Sequence, residues 1–162
     1  MTAALGVPSP IGELVVEADD EAVTAVWLPG RRPERADLAT GSGRLPEALR
    51  AAARQLEEYF ARRRRRFDLP LRLGGTPFQR QVWQTLADIG YGETWSYGEL
   101  AAAVGRPAAF RAVGQANGAN PIPIVLPCHR VVASGGRIGG YGGGLEMKRR
   151  LLALEGAPAL RP

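Results

Sequence analysis

The sequence predicts an α+β fold: a small N-terminal sheet-and-helix scaffold over residues 1–74, then a mainly helical domain over residues 75–162 that contains a helix-turn-helix. Three observations predict it. Strand-like valine- and leucine-rich stretches gather before residue 74, helical periodicity with capping signals dominates after residue 75, and the Gly74-Gly75 pair punctuates the two. A length of 162 residues suits one ordinary domain or two small ones, each able to bury a core.

Taken in order, residues 12–18 and 22–28 alternate or run apolar, and Asp19-Asp20-Glu21 between them is polar enough to turn, which predicts a β-hairpin. Residues 29–43 fill with Pro, Gly, Arg and Asp and lose periodicity, as a long mobile surface loop does. Pro46 suits a first helical turn, and Leu49, Ala53, Leu56 and Phe60 recur at helical spacing, so a helix is expected to about Arg63. The arginine run Arg62 to Arg66 reads either as a solvated helix terminus, where cations complement the macrodipole, or as a DNA-facing patch. Phe67, Leu69, Leu71 and Leu73 alternate with polar or proline positions, as in a third strand with one buried face.

The second region opens on Thr76-Pro77-Phe78-Gln79, a capping box with proline first in the helix; Phe78, Val82, Leu86 and Ile89 form the apolar stripe behind it. Ser96 and Glu99 repeat the box for a short helix over residues 97–104, which places Tyr97 in its first turn. Gly105 stops that helix and Pro107 starts another to about residue 116, giving the helix-turn-helix. This second helix is rich in Ala108, Ala109, Ala112, Gly114 and Ala116, side chains small enough for close approach to a neighbouring helix or to DNA, with Arg111 its one cation. Residues 117–123 are rich in turn formers, and residues 145–155 form a final helix before Gly156. Glu155 in its last turn sits where the macrodipole disfavours negative charge, either as a solvated residue or with a partner.

Composition narrows the chemistry. A single cysteine excludes an intramolecular disulfide and, beside a single histidine, a thiolate-rich zinc site, so neither metal nor cofactor is expected. The chain shows no secretory signal and no long apolar run, which points to a cytoplasmic protein with no membrane partner. A net charge of +5 and an isoelectric point near 10.1 suit a polyanionic partner or reflect an arginine-rich genome.

The lone cysteine and lone histidine are adjacent, at Cys128 and His129. A buried run, residues 123–126, leads into Pro127, which has no N–H to donate; a strand is expected to end there and leave Cys128 at its exposed mouth. Nucleophilic sulfur is thiolate, and His129 is a base at hand to make it. Adjacent residues of an extended chain face opposite sides, so a bridging water between the two is expected. The glycine-rich stretch from Gly139 to Gly144 around Tyr141 lacks the spacings of nucleotide-binding loops and fits a backbone-lined pocket.

Pro127-Cys128-His129-Arg130-Val131 resembles the active-site signature of the O6-alkylguanine-DNA alkyltransferases. Gly92-Glu93-Thr94-Trp95-Ser96-Tyr97-Gly98-Glu99-Leu100-Ala101, Arg111-Ala112-Val113-Gly114, Asn120-Pro121-Ile122-Pro123 and Gly139-Gly140-Tyr141-Gly142-Gly143-Gly144-Leu145 follow that family's order and spacing. The match is close over residues 76–156 and loose before them. The resemblance implies a ribonuclease-H-like N-terminal fold and direct-reversal DNA repair. O6-alkylguanine flips out of duplex DNA, and its alkyl group passes irreversibly to Cys128, once per molecule. The implied partner is double-stranded DNA containing O6-alkylguanine, with O4-alkylthymine an open second substrate, and the protein is expected to act as a monomer.

Carried over by resemblance, Cys128, His129 and Glu155 form a nucleophile, base and orienter, and Tyr97 hydrogen-bonds ring N3 of the flipped base. Arg111 fills the space the nucleotide leaves, Asn120 braces the helix-turn-helix against the active site, and Pro123 belongs to the same substrate-binding stretch. Backbone groups of Cys128 and Val131, with the amide of Gly142 after Tyr141, read the guanine edge. Two positions depart from the pattern: Phe110 replaces a small residue before the arginine, and Gly142 replaces a frequent serine, so an amide contact survives there and a hydroxyl contact does not. The reading from another class is a non-catalytic alkyltransferase-like lesion-recognition protein, against which Cys128 discriminates.

Overall fold

A computed structural model describes residues 2–33 and 44–161; the loop expected at 29–43 lies, from residue 34 onward, outside them. The chain divides into two units, Met1–Leu73 and Gly74–Pro162.

In the first unit the predicted hairpin is present as β2 (Leu14–Ala18) and β3 (Val23–Trp27), with a strand the periodicity did not mark, β1 (Ala3–Val7), completing an antiparallel sheet in the order β1-β2-β3. Asp19 closes the hairpin as its Oδ1 accepts the N–H groups of Glu21 and Ala22, both at 2.8 Å. Helix α1 (Glu47–Phe60) packs on the sheet, with Pro46 as its N-cap. Its core face is Leu49, Ala52, Leu56 and Tyr59, so the expected stripe is correct at two positions; Ala53 and Phe60 flank the core. A 3.6-residue repeat accommodates either set, and the sheet selects the one carrying the tyrosine.

Helix α1 stops three residues before the expected end, in a Schellman turn: Arg63 N–H donates to Glu58 O at 2.8 Å and Arg62 N–H to Tyr59 O at 3.0 Å, with Arg62 at φ +60° in the conformation glycine usually supplies. The arginine run therefore begins as a helix terminus. Residues 67–73 alternate half-buried and exposed as expected, but the third strand reduces to one parallel bridge between Val23 and Leu71. Val23 N–H donates to Pro70 O and Arg72 N–H to Val23 O, and Pro70, having no N–H, cannot extend the ladder.

In the second unit α2 (Pro77–Leu86) opens with the complete Thr76–Gln79 capping box and buries Val82, Trp83 and Leu86. A two-residue strand, β4 (Trp95–Ser96), runs into α3 (Tyr97–Ala103), which carries the second box, from Ser96 and Glu99. Gly105 ends the turn at φ +76°. The next helix, α4 (Phe110–Gly118), starts three residues later than expected because Pro107-Ala108 are spent in a turn. Helices α2, α3 and α4 pack together, and Trp83 Nε1 donates 2.7 Å to Ala116 O across the α2–α4 contact.

The expected strand before Cys128 is absent. Residues 122–126 form a turn in which Leu126 N–H donates to Ile122 O at 2.9 Å and Ile124 adopts φ +74°. Prolines at 121, 123 and 127 remove the donors a ladder needs. The apolar run reflects burial instead: Ile122, Ile124, Val125 and Leu126 are each under 10% exposed. Cys128–Arg130 then form one 3₁₀ turn and lead into β5 (Val131–Val132), which pairs in parallel with β4. The last helix, α5 (Leu145–Leu154), ends on Glu155 before Gly156 at φ +76°. Among the described residues no helix is long and apolar enough to cross a membrane.

Candidate active site

Parallel pairing of β4 with β5 fixes the site, because Tyr97 follows β4 directly and Cys128 precedes β5 by three residues. Tyr97 packs against Gly139 at φ +73°; a Cβ there would stand 3.3 Å from the ring's Cε2 and from its hydroxyl and 3.1 Å from the Ala133 nitrogen, so glycine leaves room for the hydroxyl edge of the tyrosine. Cys128 is 7% exposed, not at an open strand mouth as expected, because the turn before it folds under rather than running out to an edge. The 3₁₀ geometry also removes the expected opposition of Cys128 and His129, which assumed an extended chain.

His129 is wholly buried, and its Nε2 lies 2.7 Å from Glu155 Oε2. Glu155 is shared: Arg130 forks onto it, Nε to Oε1 at 2.8 Å and Nη2 to Oε2 at 3.0 Å, and sends Nη1 to Ile89 O at 2.6 Å. The Gly92 N–H reaches Oε1 at 3.3 Å, and a Cβ on Gly92 would meet Glu155 O at 2.9 Å. Burial opposes the Glu155 charge, but the hydrogen bonds from His129 and Arg130 and the Arg130 charge outweigh it and hold the carboxyl well below its usual range. The macrodipole penalty at the end of α5 is thus offset by a charged fork.

Burial lowers the pKa of His129, with the Arg130 and Lys148 charges acting the same way against Glu155. The imidazole is therefore neutral, and since an anionic Glu155 accepts from Nε2–H, the basic lone pair lies on Nδ1, a buried atom with no protein partner. Burial pushes the Cys128 thiol up to about 11, against the Asn120 amide, the Lys148 ammonium and the backbone N–H groups of Cys128 and His129. Sulfur is protonated at neutral pH, beside a base whose free nitrogen is unspent. Burial likewise raises Tyr97 and, far more, Tyr141, and the sulfur's charge adds to both. A buried thiol with an adjacent neutral base, two protonated phenols and a charge-anchored carboxylate can deliver sulfur to an electrophilic carbon while moving its proton inward.

Family models agree over both units: "6-O-methylguanine DNA methyltransferase, ribonuclease-like domain" matches residues 6–73, and "6-O-methylguanine DNA methyltransferase, DNA binding domain" matches residues 77–157. The chain belongs to the 6-O-methylguanine DNA methyltransferase family. Among its relatives, the methylated-DNA–protein-cysteine methyltransferase of Mycolicibacterium paratuberculosis is 49% identical, over 92% of this chain and 89% of its own. The protein of that name from Methanosarcina acetivorans is 44% identical over 92% and 95%. A crystal structure of Mycobacterium tuberculosis OGT in complex with DNA superposes at a TM-score of 0.83 and 44% identity, covering 96% of this chain and 95% of that one. The predicted α+β class and ribonuclease-like N-terminal region agree with these matches.

Of the residues singled out from this family's motifs, Cys128, His129, Glu155, Tyr97, Tyr141 and Asn120 are brought together. Asn120 Nδ2 donates 2.8 Å to Leu126 O and its Oδ1 accepts from Ile122 N–H at 3.0 Å, so it shapes the turn that delivers the cysteine. Pro123 is buried in that turn, and the carbonyl of Val131 already accepts from Lys148 Nζ at 2.6 Å. Gly142 and Arg111 are exposed, the latter on α4. Sequence reasoning missed three participants: Arg130, the fully buried Lys148, and Asn117, whose Nδ2 stands 3.5 Å from Cys128 O. Arg130 lay inside the quoted signature, and Lys148 falls seven residues after Tyr141 in an otherwise amphipathic helix; neither has a periodicity signal, because each is held by a long-range contact.

Proposed function

We propose that this protein repairs DNA by direct reversal: it binds duplex DNA, takes an O6-alkylguanine out of the stack and moves the alkyl group to Cys128. The observation that carries the reading is the neutral His129, hydrogen-bonded at 2.7 Å to Glu155 and one residue from a buried, protonated Cys128. As sulfur attacks the alkyl carbon, its proton passes to His129 Nδ1, directly or through a water. The S–C bond forms, the C–O6 bond breaks with its electron pair going to guanine, and Tyr97 donates a hydrogen bond to ring N3 to relieve the developing charge. Glu155 and Arg130 keep the imidazole in the tautomer that receives the proton.

In this reading the second unit is the DNA-binding and alkyl-accepting domain and the first its scaffold. Arg111 fills the vacated stack, while Asn120, Pro123, Tyr141, Gly142 and the Val131 backbone shape the base pocket. The thioether product has no resolving thiol, since Cys128 is the single cysteine, so each molecule reacts once. A free nucleophilic thiol fits a reducing compartment, the cytoplasm. Incubation with a duplex bearing O6-methylguanine, followed by intact-protein and peptide mass, is expected to place one methyl group on Cys128. Cys128→Ala is expected to bind the lesion without accepting the group; methyl transfer by that variant would overturn the proposal.

A further inference from the structure

The protein has 3 tryptophans, 4 tyrosines and 4 phenylalanines, all among the described residues, and Phe110 alone of them is exposed, at 52%. The others are buried or half-buried. Phe110 is the first residue of α4, and exposed cations stand on both sides of it in sequence. Arg111 follows it on the helix. Arg106, in the turn before it, is pinned with its guanidinium 5.3 Å from the centre of the Phe78 ring, so that charge is held at the surface rather than swinging free. A large exposed ring with an exposed arginine on either side of it in sequence matches the chemistry of an unstacked nucleobase, whose flat face stacks on the ring while the flanking phosphates meet the cations.

We infer that Phe110 is a nucleobase-stacking residue of this protein, holding open the base step from which the alkylated guanine departs. The inference rests on the proposed repair reading and adds to it a contact made only when the substrate is a duplex. Arg111 supplies charge and hydrogen bonds in the gap, and Phe110 supplies the π surface that compensates for stacking lost when a base leaves. The site takes an unpaired or partly unstacked base of any identity, because every base has a π face.

The test compares single-turnover alkyl transfer by Phe110→Ala, Phe110→Leu and Phe110→Trp on an O6-methylguanine duplex and on free O6-alkylguanine base. Stacking on one aromatic ring predicts that Phe110→Ala slows duplex transfer by at least about fivefold. Phe110→Leu is expected to restore little, Phe110→Trp most or all, and none to alter the free-base reaction. A wild-type duplex rate in Phe110→Ala overturns the inference, as does an equal loss on both substrates. So does full rescue by leucine, which marks a merely apolar contact. If Phe110→Ala instead abolishes self-association of the DNA-free protein seen by sedimentation and leaves the duplex rate unchanged, the ring belongs to a contact between copies and the inference fails. Failure of the repair reading itself looks different: the wild-type protein then acquires no alkyl group on Cys128 from either substrate.

Discussion

Burial pushes the Cys128 thiol up to about 11, which leaves only about one molecule in ten thousand ionised at pH 7, so the proposed mechanism makes transfer at neutral pH depend on the His129 base. His129→Gln is expected to slow transfer at pH 7 by about a hundredfold or more. The residual rate then follows thiolate, rising nearly tenfold per pH unit toward pH 11, whereas the wild-type profile is flatter. Single-turnover rates from pH 6 to 10 check this, and a parallel pair of profiles would remove His129 from the relay. Glu155→Gln behaves differently, because it also leaves the Arg130 guanidinium buried without its anion; breaking such a pair costs about 3–5 kcal/mol. The Glu155 carboxyl is held below its usual range, so its stabilising effect is complete above the unfolded-state value of 4.5 and is lost as pH falls below it. The stability gap between wild type and Glu155→Gln, measured by denaturant unfolding, is therefore expected to be widest near neutrality and to narrow in acid. Glu155 looked anomalous in sequence as a carboxylate at a helix end, which left a partner open, and the family resemblance named His129; the second partner, Arg130, was invisible because nothing in a linear pattern says where a guanidinium twenty-five residues away will fold.

At the scale of elements, local chemistry was legible where the signal is local. Both capping boxes formed with the residues named, because a side chain and an N–H three residues apart need no tertiary help. The run before Cys128 misled because a buried turn and a buried strand have the same apolar composition, and only the spacing of its prolines argues for the turn. Ser96→Ala removes one box at the helix that starts on Tyr97, and it is expected to cost about 1 kcal/mol in thermal unfolding. If Tyr97 donates to the departing base, the frayed turn also slows transfer, while Thr76→Ala, a matched cap loss on α2, leaves the rate unchanged at similar stability cost. Arg111→Ala, on the exposed start of α4, is expected to lower the salt slope of duplex binding by about one unit and to slow duplex transfer. The arginines after α1 terminate a helix, and replacing Arg62 and Arg63 with glutamine is expected to change the transfer rate little.

For the whole molecule, one equivalent of lesion is expected to inactivate one equivalent of protein, with no recovery on adding thiols, since a thioether is not opened by exchange. Titration of protein with lesion duplex gives a break at a one-to-one ratio; continued turnover past it would contradict the single-use reading. Treatment with a chelator is expected to change neither folding nor transfer, as the relay needs only side chains. The boundary between the two units falls at the Gly74-Gly75 pair where the periodicity changes, whereas β1 was not legible, its alanines and glycine carrying little strand preference. Concealment of the protonated sulfur has a further consequence. Peroxides and soluble electrophiles attack exposed thiolates, and this sulfur is neither exposed nor ionised at neutral pH. A protein read as firing once is thereby guarded against spending its sulfur on a stray oxidant or alkylating agent.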